Sequence, residues 1–264
     1  MVASPNLARY SGMFNNTGVG DKGNKIFHSI RLDGNYSQHG IEHGALFLYK
    51  GDNYWVDHVE ITDFLDDAIG MGFNQTGSAD YITVSNSKIH NTGKALYAWY
   101  QNQVNHGQGH ITAFFNELAA SERNPNNRGA EHFHFFNNWV HDWRFEAVVS
   151  GGKGATGFPQ WAGNRTIDSN MLSQSNVYEK ASSAENQCAE TADPAIGLEY
   201  GGWMYIDNNS IYNGLTTCYH WGSANRESEN SSNGPGKPNI PYAYTLLPAD
   251  QVKSYVQKNA GPLN

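Results

Sequence analysis

Apolar and polar positions alternate in short bursts along this chain, and the bursts resemble one another. Within 82–90, Ile82, Val84 and Ile89 are apolar around a central Asn86. Phe133, Phe135 and Val140 repeat that arrangement around Asn137, and Met204, Ile206 and Ile211 repeat it around Asn208. The offsets are 51 and 71 residues, which fit two and three units of about 24–26 residues. Looser copies at 55–59, 111–116 and 172–176 fill the gaps. Period-two alternation predicts strands, and the Gly, Asn, Ser and Asp between them predict tight bends. No helical pattern separates the strands, which argues against a βαβ sheet.

A short strand cannot bury its apolar face alone, whereas stacked coils bury a continuous core. The pattern predicts an all-β parallel solenoid, with an antiparallel sandwich whose turns happen to recur as the alternative. An Asn at one place in each coil suits an amide ladder and tolerates left-handed backbone at a bend. Residues 1–24 read as an arm or cap, 25–221 carry the repeat, and 222–264 form a loop and tail packing on it. From Pro248 onward, Val252, Tyr255 and Val256 share a helical face. A short helix there is expected to cover the open end of the solenoid and protect its edge.

Composition narrows the class. Charged residues are 16% of the chain and glycines number 28, which excludes a coiled coil or helical bundle. The 7 Trp, 15 Tyr and 12 Phe can build a sizeable core, which excludes a disordered chain. No run of about eighteen apolar residues is present to span a membrane. The net charge of −8 argues against nucleic acid as a general partner, yet allows a local basic site. Cys188 and Cys218 lack metal-site spacing and leave open one disulfide or two buried thiols. The segment from Met1 to Asn6 shows none of the regions of a secretory leader.

Candidate chemistry falls in two clusters. The acidic one is Asp57, Glu60, Asp63, Asp66 and Asp67, with Glu42 shortly before. The basic one is Lys94, Arg123 and Arg128. Lys94 and Arg123 are 29 residues apart, so stacked coils can place them on one face, about 5 Å apart. That would set an anion site beside an acidic metal site; the simpler reading is turn-forming Asp and solvating Arg. His58, His90 and His141 follow strand-like segments and read as hydrogen-bonded turn residues. Trp99, Tyr100, Trp143 and Trp161 are suited to stacking on sugar rings, with core packing expected for at least half.

The run Asn53-Tyr54-Trp55-Val56-Asp57-His58-Val59 resembles the vWiDH motif of polysaccharide lyase family 1, the pectate and pectin lyases. Tyr81-Ile82-Thr83-Val84-Ser85, with His90 and Lys94 following, is similar to a second family segment. Arg123-Asn124-Pro125-Asn126-Asn127-Arg128-Gly129, then His132 and Asn137-Asn138, is similar to the family's RxPxxRxG segment. The tail from Ile240 to Tyr244, with Asn259-Ala260-Gly261, is similar to the family's C-terminus. These matches follow the family's order over residues 53–264.

The resemblance implies a right-handed parallel β-helix and β-elimination of polygalacturonate by a secreted enzyme, a monomer binding neither nucleic acid nor membrane. It implies Arg123 as the base, with Lys94 and Arg128 holding the uronate carboxylate; of the aromatics suited to stacking, Trp99 and Tyr100 are the ones expected to contact that substrate. It also implies Ca²⁺, for which Asp66, Asp67, Asp63 and Glu42 are the ligands expected. The family's second acid, four residues after the first, falls here on Gly70. That departure leaves open a pectate lyase with a weakened or substrate-completed calcium site, or a calcium-independent pectin lyase. A non-catalytic β-helix used as a glycan-binding or spike module is the alternative from another class. Family members carry further residues before this region, so the first coil is expected to be capped by residues 1–24 or left open by truncation.

Overall fold

The computed structural model describes residues 1, 12–16, 23–40, 43–74, 77–100, 109–144, 147–150, 169–179, 196–198, 202–207, 209–211, 217–219, 226–227 and 239–263. The strands form a right-handed parallel β-helix with three faces. Strands three apart in the chain pair in parallel, so each coil contributes one strand to each sheet. The first sheet contains Gly44–Leu48, Ile69–Asn74, Leu96–Trp99, Asn126–Arg128 and Val148–Ser150. The second contains Gly23–His28, Gly51–Asp57, Gly77–Ser85, His110–Phe114, His132–Phe136 and Ser169–Gln174. The third contains Glu60–Phe64, Lys88–Thr92, Glu117–Ala119, Trp139–His141 and Val177–Glu179. The strand Gly12–Asn16 pairs with Gly44–Leu48, so part of the first coil lies inside the segment read as an arm.

The register explains the repeat and corrects its count. Tyr54, Ile82, Ile111, Phe133, Met171 and Met204 pair one above another along the second sheet. All six are almost completely buried, because inward positions of stacked strands have no access to water. The interval from 133 to 204 holds two coils, with Met171 between, not three. Connections between these strands lengthen there, so a single period fitted to both intervals misjudges the number of turns.

Asn86 and Asn137 occupy the expected left-handed bends, with φ of 48° and 54°. Ser29, His58, Phe115 and Ser175 take the same conformation on neighbouring coils. The amide ladder runs one residue later. Asn116 Nδ2 donates to Asn138 Oδ1, Asn138 Nδ2 to Asn176 Oδ1, and Asn176 Nδ2 to Asn209 Oδ1, each at 3.0 Å. Each Oδ1 also accepts the backbone N–H of its neighbour's asparagine. The bend residue turns the chain, and the buried amide behind it satisfies the backbone groups that the bend removes from the ladder.

The helix Ala249–Asn259 forms where the periodicity places it, with Val252 and Val256 fully buried. It packs on the flank of the third sheet against Trp139 and Val177, not over the open end. The approach to it crosses the second sheet: Tyr242 Oη lies 2.7 Å from Thr112 Oγ1, and Asn137 Nδ2 donates to Thr245 O at 2.8 Å. An apolar stripe buries best where a matching apolar stripe waits, and Trp139 with Val177 supplies it.

Candidate active site

The bend leading into the first sheet carries the charges. Ala68 N donates to Lys94 O at 2.8 Å, and Ala95 N donates to Arg123 O at 3.0 Å. Lys94 and Arg123 are also bridge partners in parallel register. Asp67, Lys94 and Arg123 therefore occupy one position on three successive coils. Gly93 permits this stacking: a Cβ there would lie 2.3 Å from Leu65 O. Thr92 and Ser121, 2.8 Å apart through their hydroxyls, tie the same two coils beneath the bend.

Arg128 stands beside this column at the end of its strand, paired with Trp99 and, one coil further, Gly72. Asn127 holds the turn after it, accepting from Ala130 N at 3.0 Å and donating to Ala130 O at 3.1 Å. Between column and strand end lies Tyr97, its ring 4.5 Å from Lys94 Nζ and its hydroxyl bonded to Arg128. Burial raises the Tyr97 phenol, opposed by Arg128 and Lys94, so it stays neutral as a spacer between two cations.

Asp67 sets the electrostatics. Lys94 Nζ donates to Asp67 Oδ1 at 2.8 Å, with the carboxylate side chain only 7% exposed. Burial lifts the Asp67 carboxyl to about 6 against the pull of Lys94, with Asp66 adding to the rise. For Lys94, burial pulls downward, but Asp67 and Tyr97 outweigh it and hold the ammonium above the ordinary lysine value. The folded chain thus holds the Asp67 proton more tightly than the unfolded chain. This contribution to stability is complete below the ordinary value of 3.8 and is lost as pH rises through about 6. Asp67→Asn is expected to flatten the stability–pH curve across that window, removing a slope of up to about 1.4 kcal/mol per pH unit. Denaturant unfolding at several pH values, compared with the parent chain, measures it.

Of the expected calcium ligands that the structure describes, Asp63 stands apart from Asp66 and Asp67. Asp63 turns to the third sheet, where Oδ2 accepts from Ser37 N and Oγ and Oδ1 accepts from Asn91 Nδ2. Asp67 is committed to Lys94, and Glu42 lies outside the described residues. At Gly70, where the family places its second acid, a Cβ would lie 2.7 Å from Tyr49 Oη and 2.9 Å from Phe47. Those two rings stack at 5.3 Å and fill the space a carboxylate would need. Calcium requires six to eight oxygens. The described residues, offering Asp66 and a share of Asp67, do not fit a protein-built calcium cage.

The aromatic predictions divide. Tyr100 is corrected from substrate contact to core: it is 3% exposed and its hydroxyl donates to Ala79 O at 2.7 Å. Trp143 is likewise buried, and Trp161 lies outside the described residues, as does Cys188. Trp99 is half-buried at the end of its strand, paired with Arg128. Tyr97, Tyr49 and Phe47 went unnoticed in the sequence; for Tyr97, its spacing of three from Lys94 was the available signal. A separate groove of about 610 Å³ on the second sheet, bordered by Trp55, Tyr81, His110, His132 and Tyr242, contains none of the three cations. Its Tyr81, His110 and His132 rings stack on one another, with His110 in the middle.

The fold is a parallel β-helix in which Lys94 and Arg123 stack at the bend into the first sheet and Arg128 ends a strand of that sheet. The pectate lyase family pattern matches residues 16–263, and the chain belongs to that family. The chain is 26% identical over 251 residues to the "Probable pectate lyase A" of Aspergillus fumigatus, spanning 92% of this chain and 64% of that protein. It is 31% identical over 138 residues to a "Pectin lyase" of Bacillus subtilis, spanning 48% of this chain and 39% of that one. The chain thus spans less than two thirds of the length of these curated relatives. Among solved structures, pectate lyase Bsp165PelA from Bacillus sp. N165, in complex with trigalacturonate, shares the fold. The TM-score is 0.63 at 21% identity, covering 89% of this chain and 67% of that one.

Proposed function

We propose that this chain is a polysaccharide lyase cleaving a polygalacturonate chain by β-elimination without an obligatory calcium ion. The observation that carries this reading is the stacking of Lys94 on Arg123, with Arg128 at the neighbouring strand end. In the reaction, neutral Arg123 takes the C5 proton, which lies α to the uronate carboxylate. The released electron pair forms the C4–C5 double bond, the C4–O bond breaks, and the departing sugar oxygen takes a proton from solvent. Lys94 and Arg128 hold the carboxylate on which negative charge accumulates in the enolate-like transition state. Lys94, stacked on Arg123, and Arg128 on the same coil add positive charge near that arginine, which favours its neutral form. Trp99 offers a flat face to a sugar ring beside the clamp. Secretion and a monomeric state belong to the same reading.

Cleavage of the methyl-esterified polymer is the second reading, favoured by Tyr49 and Phe47 where the missing acid would stand. Ultraviolet absorbance of the unsaturated product separates the cases. On polygalacturonate, the initial rate is expected to survive excess chelator, and to exceed the rate on highly methylated pectin. Loss of all activity in chelator, restored by Ca²⁺, overturns calcium independence. A faster rate on the ester supports the second reading. No product from either polymer leaves a binding module.

A further inference from the structure

We propose that His28, Asp57 and His58 form a binding site for a divalent transition-metal ion of the zinc type, where the second sheet bends into the third. The site arises from stacking. Parallel register sets His28 directly beside Asp57 on the next coil. His58 follows Asp57 in the left-handed conformation, φ 51°, which swings its imidazole back beside the carboxylate that precedes it. His28 Nε2 lies 3.4 Å and His58 Nδ1 2.8 Å from the same oxygen, Asp57 Oδ2. All three ligand atoms lie within 4.8 Å of one another.

These separations suit a common ion. Ligands at about 2.0–2.1 Å from a tetrahedral zinc lie about 3.3 Å apart, so His28 fits as placed and His58 needs to open by only a few tenths of an ångström. The carboxylate is already oriented by a second layer of donors. Its other oxygen, Oδ1, accepts from Ser85 Oγ at 2.6 Å and Asn86 Nδ2 at 2.9 Å, and Trp55 Nε1 donates to Ser85 Oγ at 2.9 Å. Such donors fix a metal-binding carboxylate and leave one oxygen directed at the ion. Asp57 is 4% exposed whereas the His28 side chain is 45% exposed, so water reaches the site from one side and can complete the coordination. Two imidazoles with one carboxylate favour zinc, cobalt, nickel or copper over calcium or magnesium. The ligands come from the first two coils, so the ion would pin those coils together. Asp57 and His28 lie on the second sheet, away from the Asp67, Lys94 and Arg123 column, and the site does not depend on the lyase reading.

The test uses the full chain without a polyhistidine tag, stripped with chelator and titrated with Co²⁺. One Co²⁺ per chain with a visible d–d absorption band is expected, displaced by equimolar Zn²⁺ and retained in excess Ca²⁺. His28→Ala and His58→Asn, the latter keeping a residue tolerant of the left-handed bend, are each expected to weaken binding about tenfold or more. Zn²⁺ should raise the melting temperature of the parent chain and not that of either variant, while product formation from polygalacturonate stays at the parent rate. Absence of the band, or equal binding by the parent and both folded variants, overturns the site and leaves His58 and Asp57 as a hydrogen-bonded pair only.

Discussion

Arg123→Ala is expected to lower the rate of unsaturated-product formation by about 10²–10⁴-fold, the usual contribution of a positioned general base. Its melting temperature should change little, because Arg123 is half-exposed at a bend whose backbone bonds run through Ala95 N and Arg123 O. Arginine is a weak proton acceptor at neutral pH, since its ordinary pKa exceeds about 12. The neutral fraction then grows about tenfold per pH unit, and the rate should climb with nearly that slope from neutral into alkaline solution. Arg123→Lys distinguishes a base from a simple cation. A lysine there retains the charge but carries a pKa at least about 2 units lower, so the alkaline rise should move to lower pH and its maximum should fall. An Arg123→Lys enzyme with the full parent rate and an unchanged pH profile would remove Arg123 from the chemistry.

The largest expected loss of stability lies in the amide ladder. Asn138 is fully buried and joins three coils: its Oδ1 accepts from Asn116 N and Nδ2, while its own Nδ2 donates to Ala113 O and Asn176 Oδ1. Asn138→Ala leaves the Asn116 backbone N–H without that acceptor in a place water does not reach. One orphaned buried donor costs about 1–3 kcal/mol, and the severed bonds add to it, so a loss of about 3 kcal/mol is expected. For a chain of this size that lowers the melting temperature by roughly 6–12 °C. Asn53→Gly serves as the control, because Asn53 is exposed and its φ of 63° is one that glycine adopts freely. It should stay within about 1 kcal/mol of the parent. Equal melting temperatures for the two variants would show that the ladder contributes no more than a surface bend.

Much of the fold was legible because a solenoid writes its own period into the chain. Ile82, Ile111 and Phe133 recur at one position because each faces the same interior. The left-handed bends at Asn86 and Asn137 were legible for the same reason, since few residues tolerate that conformation. The ladder escaped by one residue, because Asn137 and Asn138 are adjacent and identical in the sequence. Only the bend decides which of them meets its counterpart on the next coil. The terminal helix showed its apolar face in the sequence but not its destination, which depends on where Trp139 and Val177 leave an apolar seat.

The site divides along the same line. Residue types and spacing in the sequence determined a coil-sized separation of Lys94 from Arg123, and stacking places those two side by side. Spacing along a chain says nothing about which carboxylate faces a cation, and here Asp67 turns to Lys94 while Asp63, on the third sheet, turns to Ser37 in the short helix Tyr36–His39. Nor does it reveal that Tyr49 and Phe47 fill the space above Gly70, or that His28 meets the same Asp57 oxygen as His58. Local sequence determined the strands, the bends and the kinds of group available. Tertiary stacking alone decided which of those groups meet, because neighbours across coils are set by register and loop length rather than by order in the chain.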